Sequence, residues 1–221
     1  MTTDSNGKLR ATLLIAAVHT QDLDARAALV RFLWSLDWLD LTITQDHDAL
    51  TAERLAQAPC LLVFGSPGEL TDAQMDGLSD WVHGGGALVG IHSATINVNG
   101  RPEYHELVGG RFIGHPPFSP MSSRVADPDH FIAQGISDFD LEDECYVNEY
   151  PDRSSLHVVM TGHHEAENLA EPSSYVKDIG AGRLFITCLG HVGAVFEQEM
   201  VQRLISRGID WAARREGVVA E

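Results

Sequence analysis

A short apolar run that ends in a polar turn limits what this chain can fold into. Residues 87–92 have strand character and follow the glycine turn at 84–86, and the run leads into Gly-x-His-Ser-Ala at 90–94. In an α/β protein, residues just past the carboxyl end of a strand line the crevice where ligands bind. The segment therefore predicts an α/β fold with His92 at its ligand-binding edge.

The spacing of this turn resembles the sharp strand-to-helix elbow of α/β hydrolases and amidotransferases. Those families place a serine or cysteine nucleophile where this chain has His92. Ser93 follows directly, but neighbours on an elbow diverge, so the two residues make a poor nucleophile–base pair. Ser93 could instead offer its backbone N–H, at the start of the next helix, to an oxyanion or a sugar hydroxyl.

Length and charge restrict the class of protein further. The 221 residues suit one domain over residues 1–221, and the net charge of -17 argues against nucleic acid and anionic membranes, which need clustered Lys and Arg. The N-terminus has no signal-peptide pattern, and the apolar run at 11–18 is too short to cross a bilayer. We therefore expect a cytoplasmic protein, with a homodimer as the commonest soluble assembly.

Strand-like and helical segments alternate through the first half, which predicts βαβ units and a parallel sheet. A segment at 174–178 is expected to pair antiparallel with the last strand through the glycines at 180–182, and residues 95–150 have no clear pattern. The predicted strands are residues 9–19, 41–44, 60–65, 87–92, 156–161 and 183–189, and the predicted helices are residues 23–38, 49–57, 71–82 and 195–214.

Histidines follow four of the strand-like runs. They are His19, His92, the pair His163 and His164, and His191. Because the carboxyl ends of parallel strands lie along one edge, these side chains could converge and act in proton transfer or as metal ligands. For one histidine alone, capping of a strand is the simpler interpretation; for His92 and His191 together we favour function.

The region between residues 95 and 150 adds further candidates. Tyr104 could donate a hydrogen bond, and His115 lies in a segment restricted by the following proline. Asp143 and Glu144 point to opposite faces if extended, so only one can reach the crevice. His105 and His130 are expected at the surface.

These residues leave two chemistries open. His92, His115, His191 and Glu144 would make a site for a divalent metal such as Zn, Mn or Fe, or the histidines could act as acid and base without a metal. No nucleotide cofactor is expected, because the chain has no Gly-x-Gly-x-x-Gly after the first strand and no P-loop. Three scattered cysteines offer neither a disulfide framework nor a CxxC metal site.

Several motifs of one known family occur along the chain in consistent order. They are Gly-Gly-Gly-Ala-Leu-Val-Gly-Ile-His-Ser-Ala-Thr at 84–95, Tyr104 with Leu-Val-Gly-Gly at 107–110, Phe112-x-x-His115-Pro116, Asp127-x-x-His130, Asp143-Glu144-x-Tyr146, Gly-Arg-Leu-Phe at 182–185, Leu-Gly-His at 189–191 and Gly-Ile-Asp-Trp-Ala-Ala at 208–213. From about residue 60 to residue 213, the chain resembles the trehalose-utilisation (ThuA-like) family.

This resemblance implies a flavodoxin-like three-layer sandwich, a mostly parallel sheet with helices on both faces, related to class I glutamine amidotransferases. His92 replaces their elbow cysteine, so thiol-dependent glutaminase chemistry is not expected. The family is associated with trehalose and related disaccharides, and with 3-keto sugars, which implies a small carbohydrate as the partner. Two departures from the family pattern, at Tyr175 and at Phe131, could alter the substrate.

The leading hypothesis is an enzyme that acts on a sugar or keto-sugar. In it His92, His191 and Glu144 are catalytic, and His92, His115 and His191 are the candidate metal ligands. Its candidate substrate-binding residues are Ser93, Tyr104 and Asp143. A second hypothesis is a non-catalytic carbohydrate-binding or regulatory module that has lost the amidotransferase nucleophile. A third is an interaction protein that assembles with a sugar dehydrogenase.

Overall fold

The computed structural model describes residues 7–16, 23–96 and 100–217, and within them the chain forms eleven strands and six α-helices. The strands are β1 (Leu9–Ile15), β2 (Leu39–Thr44), β3 (Cys60–Phe64), β4 (Ala87–Ile91), β5 (Arg111–Gly114), β6 (Ser119–Val125), β7 (Phe139–Asp143), β8 (Val147–Glu149), β9 (His157–His164), β10 (Leu169–Ile179) and β11 (Gly182–Thr187). The helices are α1 (Leu23–Ser35), α2 (Ala52–Leu55), α3 (Asp72–His83), α4 (Pro102–Val108), α5 (Gly193–Phe196) and α6 (Glu199–Ala212).

Nine strands form one sheet, and its parallel half carries the flavodoxin-like order. The sheet runs β2-β1-β3-β4-β11-β10-β9-β6-β7, while β5 and β8 pair separately. The first five strands of this order are parallel, in the 2-1-3-4-5 arrangement of doubly wound folds. The remaining four extend the sheet by antiparallel pairing. The predicted α/β class and the antiparallel pairing of β10 with β11 are confirmed.

Helices cover both faces of the parallel strands because apolar side chains point to both sides. Alternate residues of one strand divide between two hydrophobic clusters: Leu62 belongs to the cluster that contains α1 and α6, and Leu61 to the one that contains α3 and α4. The predicted capping box at the start of α3 is also present, since Thr71 and Gln74 exchange side chain-to-backbone hydrogen bonds. Both faces are thus buried, as the continuous apolar strands require.

Several predicted boundaries are wrong. The closing helix predicted at 195–214 is two helices, α5 and α6, and the helix predicted at 49–57 is a 3₁₀ turn, His47–Leu50, followed by α2. The helix predicted at 23–38 ends at Ser35, because the chain turns there to enter β2. Residues 95–150, which have no clear pattern in sequence, contain α4 and four short strands. His19 lies outside the described residues.

In the described part of the chain, no helix has both the length and the apolar character that crossing a membrane requires.

Candidate functional site

His92 occupies a sharp turn directly after β4. Its backbone has φ 57° and ψ -114°, and its N–H donates to the Thr187 carbonyl over 2.7 Å. Small residues two positions before and after it permit the turn: a Cβ on Gly90 would lie only 3.0 Å from the Cβ of Ala94. Ser93 then opens a 3₁₀ turn. The predicted elbow is therefore present, with an imidazole at its tip.

Hydrogen bonds fix the tautomer of the His92 ring. Its Nδ1 lies 3.2 Å from the Cys188 carbonyl oxygen, which can only accept, so Nδ1 carries the proton and Nε2 presents a lone pair. The Tyr146 hydroxyl donates to that Nε2 over 3.3 Å. His92 is 3% exposed, and burial lowers its pKa to about 3 despite the hydrogen bond to Cys188. His92 is therefore neutral near pH 7.

Glu144 brings three imidazoles together. Its Oε2 lies 3.2 Å from Nδ1 of His191 and 3.9 Å from Nε2 of His92. Its Oε1 lies 3.4 Å from Nε2 of His115, whose Nδ1 donates to the Pro116 carbonyl over 2.6 Å. We call His92, His115, Glu144 and His191 the histidine–glutamate cluster.

The strand register explains this convergence. Ile91 lies beside Thr187 at the ends of the parallel strands β4 and β11, so His92 and the segment that leads to His191 leave the same edge of the sheet. Their ring centroids are 5.5 Å apart. Glu144 directly follows β7, and His115 directly follows β5.

Asp143 supports the cluster from behind and does not face it. Its side chain is fully buried, and its Oδ1 accepts the N–H groups of Glu144 (2.9 Å) and His191 (3.1 Å). Its Oδ2 accepts the N–H of Gly190 over 2.8 Å. Burial raises its pKa to about 6, against the effect of these donors. The structure thus gives Asp143 a backbone-fixing position where a substrate contact is expected from sequence, and Glu144 is the one that reaches the cluster.

Tyr104 also has a supporting position. It is buried, and its hydroxyl donates to the Ala94 carbonyl over 2.7 Å, which fixes the residues after the elbow. Its direct contact with substrate stays a prediction. Ser93, which is half-buried, stays a predicted substrate contact.

Other histidines lie apart from the cluster. His105 is buried, with Nδ1 donating to the Gly110 carbonyl, and His130 is half-buried against Trp211, so the expectation that both lie on the surface is wrong. His163 and His164 end β9, where they contact Thr161 and Ser119.

Aromatic rings border the cluster, and sequence reasoning gave none of them a role. The Tyr146 ring packs on His115 and Phe112, with centroid distances of 5.8 and 4.5 Å, and Phe118 lies 5.4 Å from His191. The sequence offers one indication of Tyr146: it lies two residues after Glu144, in the short segment between β7 and β8.

The arrangement is suited to holding a cation or moving a proton. Donor atoms of His92, Glu144 and His191 all lie within 4.8 Å of one another. Two of the imidazoles, His92 and His115, bind a carbonyl through Nδ1, as histidine ligands of metals commonly do through their second nitrogen. Imidazole and carboxylate donors suit Zn, Mn or Fe.

Thiol chemistry has no support in this fold. The three cysteines, Cys60, Cys145 and Cys188, are all buried. Burial raises their pKa values to about 12, 11 and 12 respectively, so none is poised as a thiolate.

Comparison with known proteins gives the family and the fold. The family model for trehalose utilisation, ThuA, matches residues 12–212. A search of curated proteins found no match. Among solved structures, a ThuA-like protein from Bacteroides uniformis is 18% identical, with 96% of this chain and 94% of that chain covered and a TM-score of 0.82.

Two further solved structures extend the comparison. A ThuA-like protein from Parabacteroides merdae is 16% identical, with 93% and 90% of the two chains covered and a TM-score of 0.79. A GMP synthase-type protein from Thermoplasma acidophilum is 12% identical, with 96% and 97% covered and a TM-score of 0.62. The fold is therefore ThuA-like and also similar to an amidotransferase-like chain.

Proposed function

The chain belongs to the trehalose-utilisation family, ThuA, and we propose that it is an enzyme of carbohydrate metabolism whose active site is the histidine–glutamate cluster. The proposed substrate is trehalose or a related disaccharide, or its 3-keto derivative. The observation that carries the proposal is the meeting of His92, Glu144 and His191 at one edge of the sheet, within 4.8 Å of one another. Separate elements supply these three groups, as is common for active sites of open α/β sheets.

We further propose that the cluster holds a divalent cation, Zn, Mn or Fe. The ligands would be Nε2 of His92, Nδ1 of His191 and a carboxylate oxygen of Glu144, with His115 beside them on the second oxygen. A cation bound there would polarise a sugar carbonyl or hydroxyl oxygen.

Without a cation in the cluster, the chain's own groups can bind and move protons. The Tyr146 hydroxyl, which donates to Nε2 of His92, is placed to donate to a substrate oxygen that enters the cluster. His191 Nδ1 and Glu144 Oε2, 3.2 Å apart, are close enough to share a proton and pass it to that oxygen.

Elemental analysis tests the metal part of this proposal. We expect a stoichiometric metal in the wild type, purified without chelator or affinity tag, and its loss in both His92→Ala and His191→Ala. His83→Ala, which changes an exposed histidine at the end of α3, should keep the metal. A metal-free wild type would remove the cation and leave the histidines as acid, base or binding groups.

Activity measurements test the catalytic part. His92→Ala should abolish turnover of a disaccharide or keto-sugar while the far-UV circular dichroism stays that of the wild type. Full activity in this variant would exclude His92 from catalysis.

A non-catalytic carbohydrate-binding module is the second candidate. It is favoured by the elbow itself, where an imidazole stands at the amidotransferase nucleophile position and no thiol is ionised nearby. Calorimetry with disaccharides, combined with analysis of the sugar afterwards, separates the two. Binding without any chemical change, with and without added metal, would support the module.

A further inference from the structure

Phe118 exposes an aromatic ring beside the histidine–glutamate cluster. Its side chain is 41% exposed, and its ring lies 5.4 Å from that of His191 at an angle of 43°. Ligand sites combine apolar and aromatic side chains with a few polar groups, and Phe118 beside the cluster gives this combination.

The segment that carries Phe118 is fixed by a chain of hydrogen bonds. His164 is buried, and its Nδ1 accepts the N–H of Glu167, so its Nε2 carries the proton and donates to the Ser119 hydroxyl over 2.7 Å. That hydroxyl donates in turn to the Pro117 carbonyl over 2.8 Å. The residues on both sides of Phe118 are therefore held by hydrogen bonds.

We propose that Phe118 is the platform on which one pyranose ring of the substrate packs, and that His164 and Ser119 are the residues that position it. This inference rests on the proposed function, and it specifies a ring-closed sugar. A pyranose has a face of C–H groups and a rim of hydroxyls. Phe118 offers a flat apolar surface to that face, while Glu144 and His191 lie alongside as hydrogen-bonding partners for the rim.

An acyclic polyol fits this surface less well. It carries the same hydroxyls but has no rigid C–H face, so its contact with a flat ring is small and its ordering costs more conformational entropy. The two kinds of ligand therefore provide a direct comparison.

Calorimetric titration with trehalose, methyl glucoside and sorbitol tests the platform. The proteins are the wild type, Phe118→Leu, Phe118→Tyr, Ser119→Ala and Ile113→Ala. Leucine is apolar but has no flat ring. Phe118→Leu should therefore raise the dissociation constants of both cyclic sugars by about 10-fold, which corresponds to about 1.4 kcal/mol of binding free energy. Phe118→Tyr should stay within about 3-fold of the wild type, and sorbitol should bind none of the proteins measurably.

Ser119→Ala tests whether the hydrogen bonds position Phe118, and Ile113→Ala is the control for an exposed apolar residue elsewhere. Ser119→Ala breaks the link between His164 and Pro117, so it should weaken cyclic-sugar binding while its metal content and far-UV circular dichroism stay those of the wild type. Ile113 is also exposed, at 52%, in the neighbouring β5, and Ile113→Ala should bind as the wild type does.

The outcomes separate this inference from the proposed function. If the wild type binds the cyclic sugars and Phe118→Leu binds them equally well, the platform is wrong and the proposed function stands. If the wild type binds no sugar, the proposed function fails and the platform fails with it. Equal binding of sorbitol and trehalose would overturn the requirement for a ring, and unchanged binding in Ser119→Ala would overturn the positioning role.

Discussion

His92 has a backbone conformation that glycine adopts easily and histidine adopts only with strain. Its φ of 57° and ψ of -114° are those of the first central residue of a type II′ turn, a position that favours glycine. Strained residues of this kind cost about 1–3 kcal/mol and persist where the surrounding structure holds them. Here two hydrogen bonds hold the residue in place, one from its backbone N–H to the Thr187 carbonyl and one from its ring Nδ1–H to the Cys188 carbonyl.

The strain leads to a prediction about two variants. His92→Gly and His92→Ala both remove the imidazole, but only glycine relieves the backbone. We expect His92→Gly to be more stable than His92→Ala by about 1 kcal/mol, since relief of strain exceeds the larger backbone entropy that glycine loses on folding. Denaturant unfolding at pH 8 measures both. Equal stability of the two variants would show that the elbow stores no strain.

A second residue-scale prediction concerns His105. Burial lowers its pKa below the ordinary 6.5, against the hydrogen bond to Gly110, and its Nε2 is buried with no partner among the described residues. The unfolded chain therefore binds this proton more readily than the folded one. The stability that His105 supports is complete above pH 6.5 and is lost as the pH falls below that value.

The measurement is the unfolding free energy between pH 7 and pH 5. His105→Gln should lose less stability over this interval than the wild type, by at most about 1.4 kcal/mol per pH unit, the slope for one proton. His83→Gln, at an exposed position, should keep the wild-type slope. Identical slopes in wild type and His105→Gln would mean that the folded protein accepts this proton as easily as the unfolded chain.

At the scale of elements, the sequence predicted the parallel half of the sheet well and the antiparallel half poorly. β3 and β4 are buried along their whole length, so they appear in sequence as uninterrupted apolar runs. β6 is a mixture of buried, half-buried and exposed positions and contains serines, a proline and an arginine, which leaves little apolar pattern to recognise. Strands that bury only part of their surface, as β6 does, therefore escape a hydrophobicity argument.

The candidate site likewise has a part that the sequence predicted and a part that it did not. Strand-end geometry predicted the meeting of His92 and His191, and alternation predicted that only one of Asp143 and Glu144 reaches the cluster. Which of the two does so depends on how the segment after β7 docks against the 190–191 backbone, and that contact spans 47 residues. No sequence pattern indicated that Phe118 lies beside the cluster, because its exposure there is a property of tertiary structure.

Asp143 links two elements, and its replacement should loosen both. Asp143→Asn can present only one acceptor oxygen, so its amide would face one of the three N–H donors. We expect faster hydrogen exchange at Gly190 and His191 and a loss of about 10–100-fold in affinity for the proposed metal, the range typical of residues that orient ligands. Glu142→Gln changes the exposed neighbour on β7 and should alter neither. Wild-type exchange and affinity in Asp143→Asn would contradict this linking role.

At the scale of the whole molecule, the cluster joins parts of the chain that are far apart in sequence. His92 follows a central parallel strand, His191 follows its neighbour β11, and Glu144 follows β7 at the antiparallel edge of the sheet. A ligand that binds all three is bound only when the sheet is assembled. The unfolded chain, with these residues about 50 positions apart, has no comparable site.

Metal removal should therefore destabilise the protein as a whole. A ligand that binds only the folded state at 100 times its dissociation constant contributes about 2.7 kcal/mol. For a chain of this size, that corresponds to a rise in Tm of roughly 5–10 °C. We expect untagged wild type treated with chelator to melt lower by this amount and to recover when Zn, Mn or Fe is returned after the chelator is removed. His191→Ala lacks one of the proposed metal ligands, so its Tm should be the same before chelator treatment, after it and after the metal is returned. An equal response in His191→Ala would place the stabilising ion elsewhere, and no response in the wild type would mean that the cluster works without a cation.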